Sequence, residues 1–375
     1  MTHKSKRIGW VAVLAAALVL IVGLGIAAAG CGGSDLPSAG GGTTTSDGTG
    51  TTSGGELSAS LNGAGATFPK PLYIEWIGEF QMVNPGVKIN YQGIGSGGGI
   101  EQFTKMTVDF GASDAPMKDE EVAAAETASG AKVLHIPTVF GSVVLAYNLP
   151  DLPELKLDSD TLAAIFLGEI TNWNDAKIAA LNSGATLPDK AIQVVHRSDS
   201  SGTTNIFTSY LAEVNQPWAD AVGAGKEVQW PAGVGGQGND GVAAVVQQQE
   251  GSIGYVELSY AIESNLTMAS LKNAAGNFIV PSLESTSAAA AGAAFPEDLR
   301  FSVANSPNAD AYPIVGATWI LAYDKMADPA KVAALKAFLT WSLTDGTAVA
   351  EDLGYAPLPD DLRALALAKV NAIGS

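Results

Sequence analysis

Cysteine is almost absent from this sequence: Cys31 is the one example among 375 residues. An internal disulfide framework is therefore excluded, and so are zinc sites that need several thiolates. Histidine is nearly as scarce, and beyond the first 30 residues only His135 and His196 remain. No Gly-x-Ser-x-Gly elbow surrounds any serine, and no His, Cys, Asp and Glu spacing suggests a metal site. His196 could serve as a base for Ser201, but an ordinary loop histidine is the simpler reading, so no catalytic residue and no cofactor is expected. Basic charge is also short, with 20 Lys and Arg against 38 Asp and Glu, a net of −18. That argues against nucleic acid and anionic membrane surfaces as partners. Any anion held by such a chain must be held by local dipoles and hydrogen bonds, because salt screens the global field beyond about 8–10 Å.

What is present organises itself from the N-terminus. Lys4, Lys6 and Arg7 precede an apolar run, Ile8 to Ala29, and no charge follows until Asp35. Residues 1–30 read as a signal peptide outside the fold. The run is also long enough to span a bilayer, so an uncleaved anchor is the alternative. Cys31 follows Ala28, Ala29 and Gly30, which resembles a bacterial lipoprotein signal whose cysteine carries the lipid. Ala28 departs from the larger aliphatic residue usual there. Either reading puts the remaining chain outside the cytoplasmic membrane. With Cys31 as the first residue, 17 basic groups face 38 acidic ones, a net of −21. Residues 31–56 are nearly all Gly, Ser and Thr, a flexible tether with a reach of about 25–30 Å.

The folded remainder is long enough for two domains. Short β-like runs alternate with amphipathic helical runs. Leu57, Ala59 and Leu61 alternate as a strand, a turn is read at Gly63 to Gly65, and Leu72, Trp76, Ile77 and Phe80 share one helix face. Asn84-Pro85-Gly86 stops that helix. The alternation continues to the apolar runs Val139 to Tyr147 and Ile314 to Tyr323. The fold class is α/β, with mostly parallel strands as the default, and two lobes crossed twice by the chain fit the pattern.

Three segments pack Gly, Ser and Thr just before a helical run: Gly63 to Pro69, Gly93 to Gly99, and Ser200 to Thr204. Each offers backbone N–H groups at a helix start, the positive end of the dipole, and small side chains that let an anion approach. Thr67, Ser96, Ser201 and Thr203 add hydroxyl donors. Taken singly, each is an ordinary cap and turn. Arg197, four residues before Ser201 with Asp199 near enough to hold its guanidinium, adds a planar fork suited to two oxygens of one anion. A surface Arg–Asp pair is the alternative. Gly93, Gly95 and Gly98 also fit G-x-G-x-x-G with Asp114 downstream. That dinucleotide reading fails on context in an exported chain.

At these residues the sequence resembles the phosphate-binding protein of the bacterial ABC phosphate importer. The stretches that carry the resemblance are LNGAGATFPKPLY, NYQGIGSGGGI, TVDFGASDAP, RSDSSGTT, TSYLAEVN, GGQGNDGVAAVVQ, GSIGYVE and YPIVGATWIL. They run in order from about Leu57 to about Leu362. The resemblance implies a two-lobed periplasmic-binding-protein fold of type II, with two crossover strands and a hinge. Lobe one is then 57–140 plus 312–375, and lobe two 141–311. It implies inorganic phosphate as ligand, held by Thr67, Phe68, Ser96 and Asp114 from one lobe. From the other come Arg197, Ser201, Gly202 and Thr203, with Asp199 pairing to the arginine. It further implies delivery to membrane permease subunits and no enzymatic activity. A binding protein for another oxyanion such as sulfate or molybdate, or a secreted phosphatase on the same scaffold, are the alternatives. His196 and Gly97 depart from a basic residue and a serine common in the family, and bear on affinity alone. Asp114 fits against an anion only if that anion carries a proton for the carboxylate to accept; capping the turn before Pro116 is its other reading.

Overall fold

The computed structural model describes residues 57–374. The apolar N-terminal run, Cys31 and the tether expected at 31–56 lie outside the described residues. The first strand, β1 (Ala59–Gly65), runs on through Gly63 to Gly65, which the sequence reading had assigned to a turn. Packing explains the difference: a Cβ on Gly63 would lie 2.1 Å from the Phe110 ring, so glycine serves close contact inside the sheet. Helix α1 (Lys70–Val83) starts with Pro71 in its first turn, where a missing N–H is tolerated. It buries Leu72, Tyr73, Trp76, Ile77 and Phe80, the stripe its periodicity indicated.

The βα pattern continues through β2 (Val87–Gly93), α2 (Ser96–Thr104), β3 (Phe110–Ser113) and α3 (Asp119–Ser129). Then comes β4 (Val133–Tyr147), a strand of 15 residues that is buried from Leu134 onward. Such a continuous apolar run marks a strand covered on both faces.

Strand β4 joins two half-sheets. Its residues Val133 to Ser142 pair with the strand Val315–Tyr323, and Val143 to Tyr147 pair with Ser252–Glu257. The first half-sheet holds β2, β1, β3 and Val315–Tyr323, and the second holds Ser252–Glu257, Gln193–Arg197 and Val234–Gly236. Within each half the inner pairs are parallel, as expected. The two joining strands depart from that default: β4 runs antiparallel to Val315–Tyr323 and to Ser252–Glu257. A chain that leaves one half along β4 must return in the opposite direction along Val315–Tyr323.

The carboxyl ends of the parallel strands meet where the halves meet. Gly65, Gly93 and Ser113 end strands of the first half, and Arg197, Gly236 and Glu257 end strands of the second. Ligand sites of open α/β sheets form beyond such ends.

Candidate functional site

Each residue expected to contact the anion sits at or just after one of those strand ends. Beyond β1, the turn through Thr67 and Phe68 is buried. Tyr260, from the helix Leu258–Glu263, donates its hydroxyl to the Thr67 carbonyl at 2.5 Å. Because a trans peptide is planar, fixing that carbonyl fixes the Phe68 N–H in the opposite direction. Beyond β2, Gly95 takes φ of 84°, a conformation glycine adopts without cost, and Ser96 opens α2. The Ser96 hydroxyl accepts from the Asp114 N–H at 3.1 Å and from the Gly202 N–H at 3.1 Å. It thereby links β2 to β3 and the first half to the second.

Asp114 is buried. Thr318 donates to its Oδ1 at 2.8 Å, and the Ser96 hydroxyl lies 3.4 Å from its Oδ2. Burial pushes this carboxyl up to about 7, against the pull of Thr318, Arg197 and Ser96. It is therefore a strong acceptor whose charge is costly when no donor meets it.

On the opposite side, the Arg197 side chain is only 1% exposed, which removes the surface-pair reading. Its Nε donates to Asp199 Oδ1 at 2.7 Å and its NH2 to Oδ2 at 2.5 Å, a two-pronged grip. Its NH1 donates to the Thr203 hydroxyl at 3.2 Å. Three of the five guanidinium N–H groups are thus committed, and two are left for a further acceptor. Burial alone would raise the Asp199 carboxyl, but the bond to Arg197, the Arg197 charge and the Gly238 N–H hold it below its ordinary value. Asp199 thus stays charged and keeps the fork oriented. Ser201 caps the helix Gly202–Val214 by accepting from the Thr204 N–H at 3.1 Å, so its own hydroxyl hydrogen remains a donor.

His196 is no partner of Ser201. Its ring stacks on Trp230 at 4.8 Å, its Nδ1 lies 3.0 Å from the Arg197 carbonyl, and burial lowers its pKa. His135 accepts the Met117 N–H at 3.1 Å, and burial lowers it to about 4. Both rings are neutral at pH 7. Among the described residues no group of three or more His, Cys, Asp or Glu is arranged to hold a metal ion.

Sequence reasoning passed over several contributors. Asn239 donates its side-chain amide to the hydroxyls of Thr67 at 3.0 Å and Thr203 at 3.2 Å, bridging the halves. Its Oδ1 accepts from the Glu257 N–H at 3.0 Å. The signal was a fourth such helix start, the Gly-rich Gly235 to Gly241, within a stretch already matched to the family. Thr318 was a lone hydroxyl inside an apolar strand, a group that needs a buried partner. Tyr255 accepts the Arg197 N–H at 3.1 Å, and nothing local in the sequence points to that role.

Comparison with known proteins adds identity to this geometry. The family model of the PBP superfamily domain matches residues 42–346. The phosphate-binding protein PstS of Pasteurella multocida is 45% identical over 307 residues, covering 81% of this chain and 87% of that one. The PstS of Methanocaldococcus jannaschii is 43% identical over 333 residues, covering 82% and 85%. A high-affinity periplasmic phosphate-binding protein, PfluDING, solved with phosphate bound, aligns with a TM-score of 0.68 at 23% identity over 84% of this chain and 99% of that chain. That likeness concerns the fold, and it is the two-lobed periplasmic-binding fold that the sequence led us to expect. With identities this high across most of its length, the chain belongs to the PstS family of phosphate-binding proteins within the PBP superfamily.

Proposed function

We propose that this protein is an extracytoplasmic solute-binding lipoprotein that holds inorganic phosphate between its lobes and delivers it to the membrane subunits of an ABC importer. The lobes are 57–140 with 312–375, and 141–311. The names and high identity of the PstS relatives support phosphate as the ligand. In this reading Thr67, the Phe68 N–H, Ser96 and Asp114 contact the anion from lobe one. Arg197, Ser201, the Gly202 N–H and Thr203 contact it from lobe two, and Asp199 steadies Arg197. Cys31 carries the lipid that anchors the protein to the membrane.

The observation that carries the reading is the interlock of the two halves: Gly202 donates to Ser96, and Asn239 bridges Thr67 to Thr203 beside a buried Arg197. A ligand that touches both halves favours their closed arrangement, and the closed form is what a permease recognises. The relatives are named as binding proteins, which supports a carrier rather than an enzyme. Phosphate and sulfate are compared by calorimetric titration of phosphate-stripped protein at neutral pH. Strong heat with phosphate and little with sulfate is expected. Equal binding of both anions, or steady hydrolysis of a chromogenic phosphomonoester, overturns the reading.

A further inference from the structure

Behind the ligand turn lies a buried acid with no part in contacting the anion. Glu257 ends the strand Ser252–Glu257 in the second half and is 0% exposed. Its Oε2 accepts from the Ser259 N–H at 2.9 Å, adjoins the Ser259 hydroxyl, and lies 2.9 Å from the Tyr355 hydroxyl. The Tyr355 hydroxyl is in turn 2.8 Å from the Ser259 hydroxyl and 2.7 Å from the Phe68 carbonyl. Tyr355 belongs to the first half, since the next two residues pair with Val139 and Phe140 of β4. Among the described residues, Oε1 of Glu257 has no hydrogen-bond partner.

Counting protons decides the state of this cluster. If Glu257 is ionised, the hydroxyls of Ser259 and Tyr355 supply two hydrogens for four oxygen–oxygen contacts. The carboxylate and the Phe68 carbonyl then compete for the single Tyr355 hydrogen. With a proton on Oε2, three hydrogens run in series: Glu257 donates to Ser259, Ser259 to Tyr355, and Tyr355 to the Phe68 carbonyl. The unpartnered Oε1 then belongs to a neutral carboxyl, whose burial costs far less than that of a charge.

The surroundings agree. Asp114 is the charged group whose field reaches Glu257, and it opposes ionisation; burial is the larger cause, and together they push the carboxyl up to about 8. The other titratable neighbours, Tyr260 and Tyr355, are raised far above their ordinary values by burial, and they stay neutral. Gly141 of β4, the Phe68 ring and Asn239 complete the shell and carry no charge.

We propose that Glu257 is a positioning residue whose proton fastens the two lobes in the closed form, through a relay that ends on the carbonyl of the phosphate-binding turn. The inference rests on the phosphate reading above. Opening the lobes breaks the relay between Ser259 and Tyr355, and Glu257 can then ionise. Closure around phosphate therefore takes up a proton at Glu257 between the pH at which it ionises with the lobes open and about 8, where it ionises with them closed.

The test compares wild type with Glu257→Gln, whose neutral amide can still donate. Phosphate affinity is measured from pH 6 to 9.5, and proton uptake is read from binding heats in buffers of different ionisation enthalpy. Wild type is expected to lose affinity relative to the variant by about threefold to tenfold per pH unit as pH rises toward 8, to level off above that point, where Glu257 ionises with the lobes open or closed, and to take up a fraction of a proton below it. The variant is expected to lack that loss and that uptake, keeping only the changes that phosphate and Asp114 impose on both proteins. Parallel pH profiles in the two proteins overturn the inference while leaving phosphate binding itself intact. An infrared difference spectrum, wild type minus variant at pH 7, stands independent of the ligand: a protonated-carboxyl band supports the inference, and a carboxylate band in its place refutes it. If Glu257→Gln fails to fold, Tyr355→Phe cuts the same relay and is read by the same affinity profile.

Discussion

Arg197 differs from a surface arginine in two ways: its side chain is 1% exposed, and Asp199 grips it from two sides. Removing it takes a buried, charge-assisted donor away from the proposed anion site and leaves Asp199 without its partner. Arg197→Ala is expected to weaken phosphate binding by about 2–4 kcal/mol in a calorimetric titration. Arg197→Lys should recover part of the loss, because a point charge cannot reproduce the fork. Unchanged affinity in Arg197→Ala would return the residue to a structural role. In the proposed site Asp114 would set selectivity by a different route. An ionised carboxylate accepts a phosphate O–H but meets a bare sulfate oxygen with repulsion and no hydrogen bond. Asp114→Asn, whose amide also donates, is expected to raise sulfate affinity relative to phosphate. Titrating the variant with both anions checks this, and a ratio equal to wild type removes Asp114 as the discriminator.

At the scale of elements, the site is a set of helix starts that interpenetrate across the two halves. The helix Gly202–Val214 begins against Ser96 and Asp114, and a Cβ on Gly202 would lie 2.5 Å from Ser96 Oγ and 2.6 Å from Asp114 Cβ. Both neighbours belong to the opposite half, so opening the cleft relieves the clash. Gly202→Ala is therefore expected to weaken phosphate binding by ~1–3 kcal/mol, the usual cost of overpacking, while the melting temperature of stripped protein changes little. A variant that binds as wild type means the turn moves freely and contributes no steric constraint. Gly97 follows the same logic: its N–H donates to the Ser200 carbonyl at 3.0 Å, and a Cβ there would press on the Ser200 side chain. The glycine at this departure from the family pattern thus serves close approach between helix starts. A further link ties α3 to the loop before Trp230, where Glu121 pairs with Lys226 at 2.5 Å and the Lys226 carbonyl accepts the Ser201 N–H at 2.9 Å.

For the whole molecule, two buried acids give stability a pH dependence. Burial pushes Asp114 up to about 7 and Glu257 up to about 8, whereas the unfolded chain ionises both near ordinary carboxylate values. His135, lowered by burial to about 4, opposes them below its ordinary value of 6.5 by adding stability as pH rises. From pH 6.5 to 8 the carboxyls outweigh His135 and His196, whose opposing contribution fades as the unfolded imidazoles lose their protons: the folded state holds carboxyl protons that the unfolded state has released, so stability falls as pH rises. The closed form, held by saturating phosphate, is expected to lose about 1–2 kcal/mol across that window in denaturant titrations, and a flat or rising profile contradicts the assignment. The proposed lipid anchor at Cys31 is tested on the full chain. Cys31→Ser is expected to release the protein from membranes without lipid; a variant that stays anchored with an intact N-terminus indicates a spanning helix instead. The sequence by itself determined the α/β class, the stripe of α1, the glycine-rich turns and Arg197 with Asp199, because these follow from local periodicity and backbone chemistry. It could not separate a turn from a strand at Gly63 to Gly65, where the Phe110 ring some 45 residues on decides. Nor could it assign Thr318 to Asp114, Asn239 to Thr67 and Thr203, or Glu257 to Tyr355. Those partners lie between 36 and 204 residues apart, and only the return of the chain along Val315–Tyr323 and the closing of one half-sheet on the other bring their polar atoms within hydrogen-bond reach.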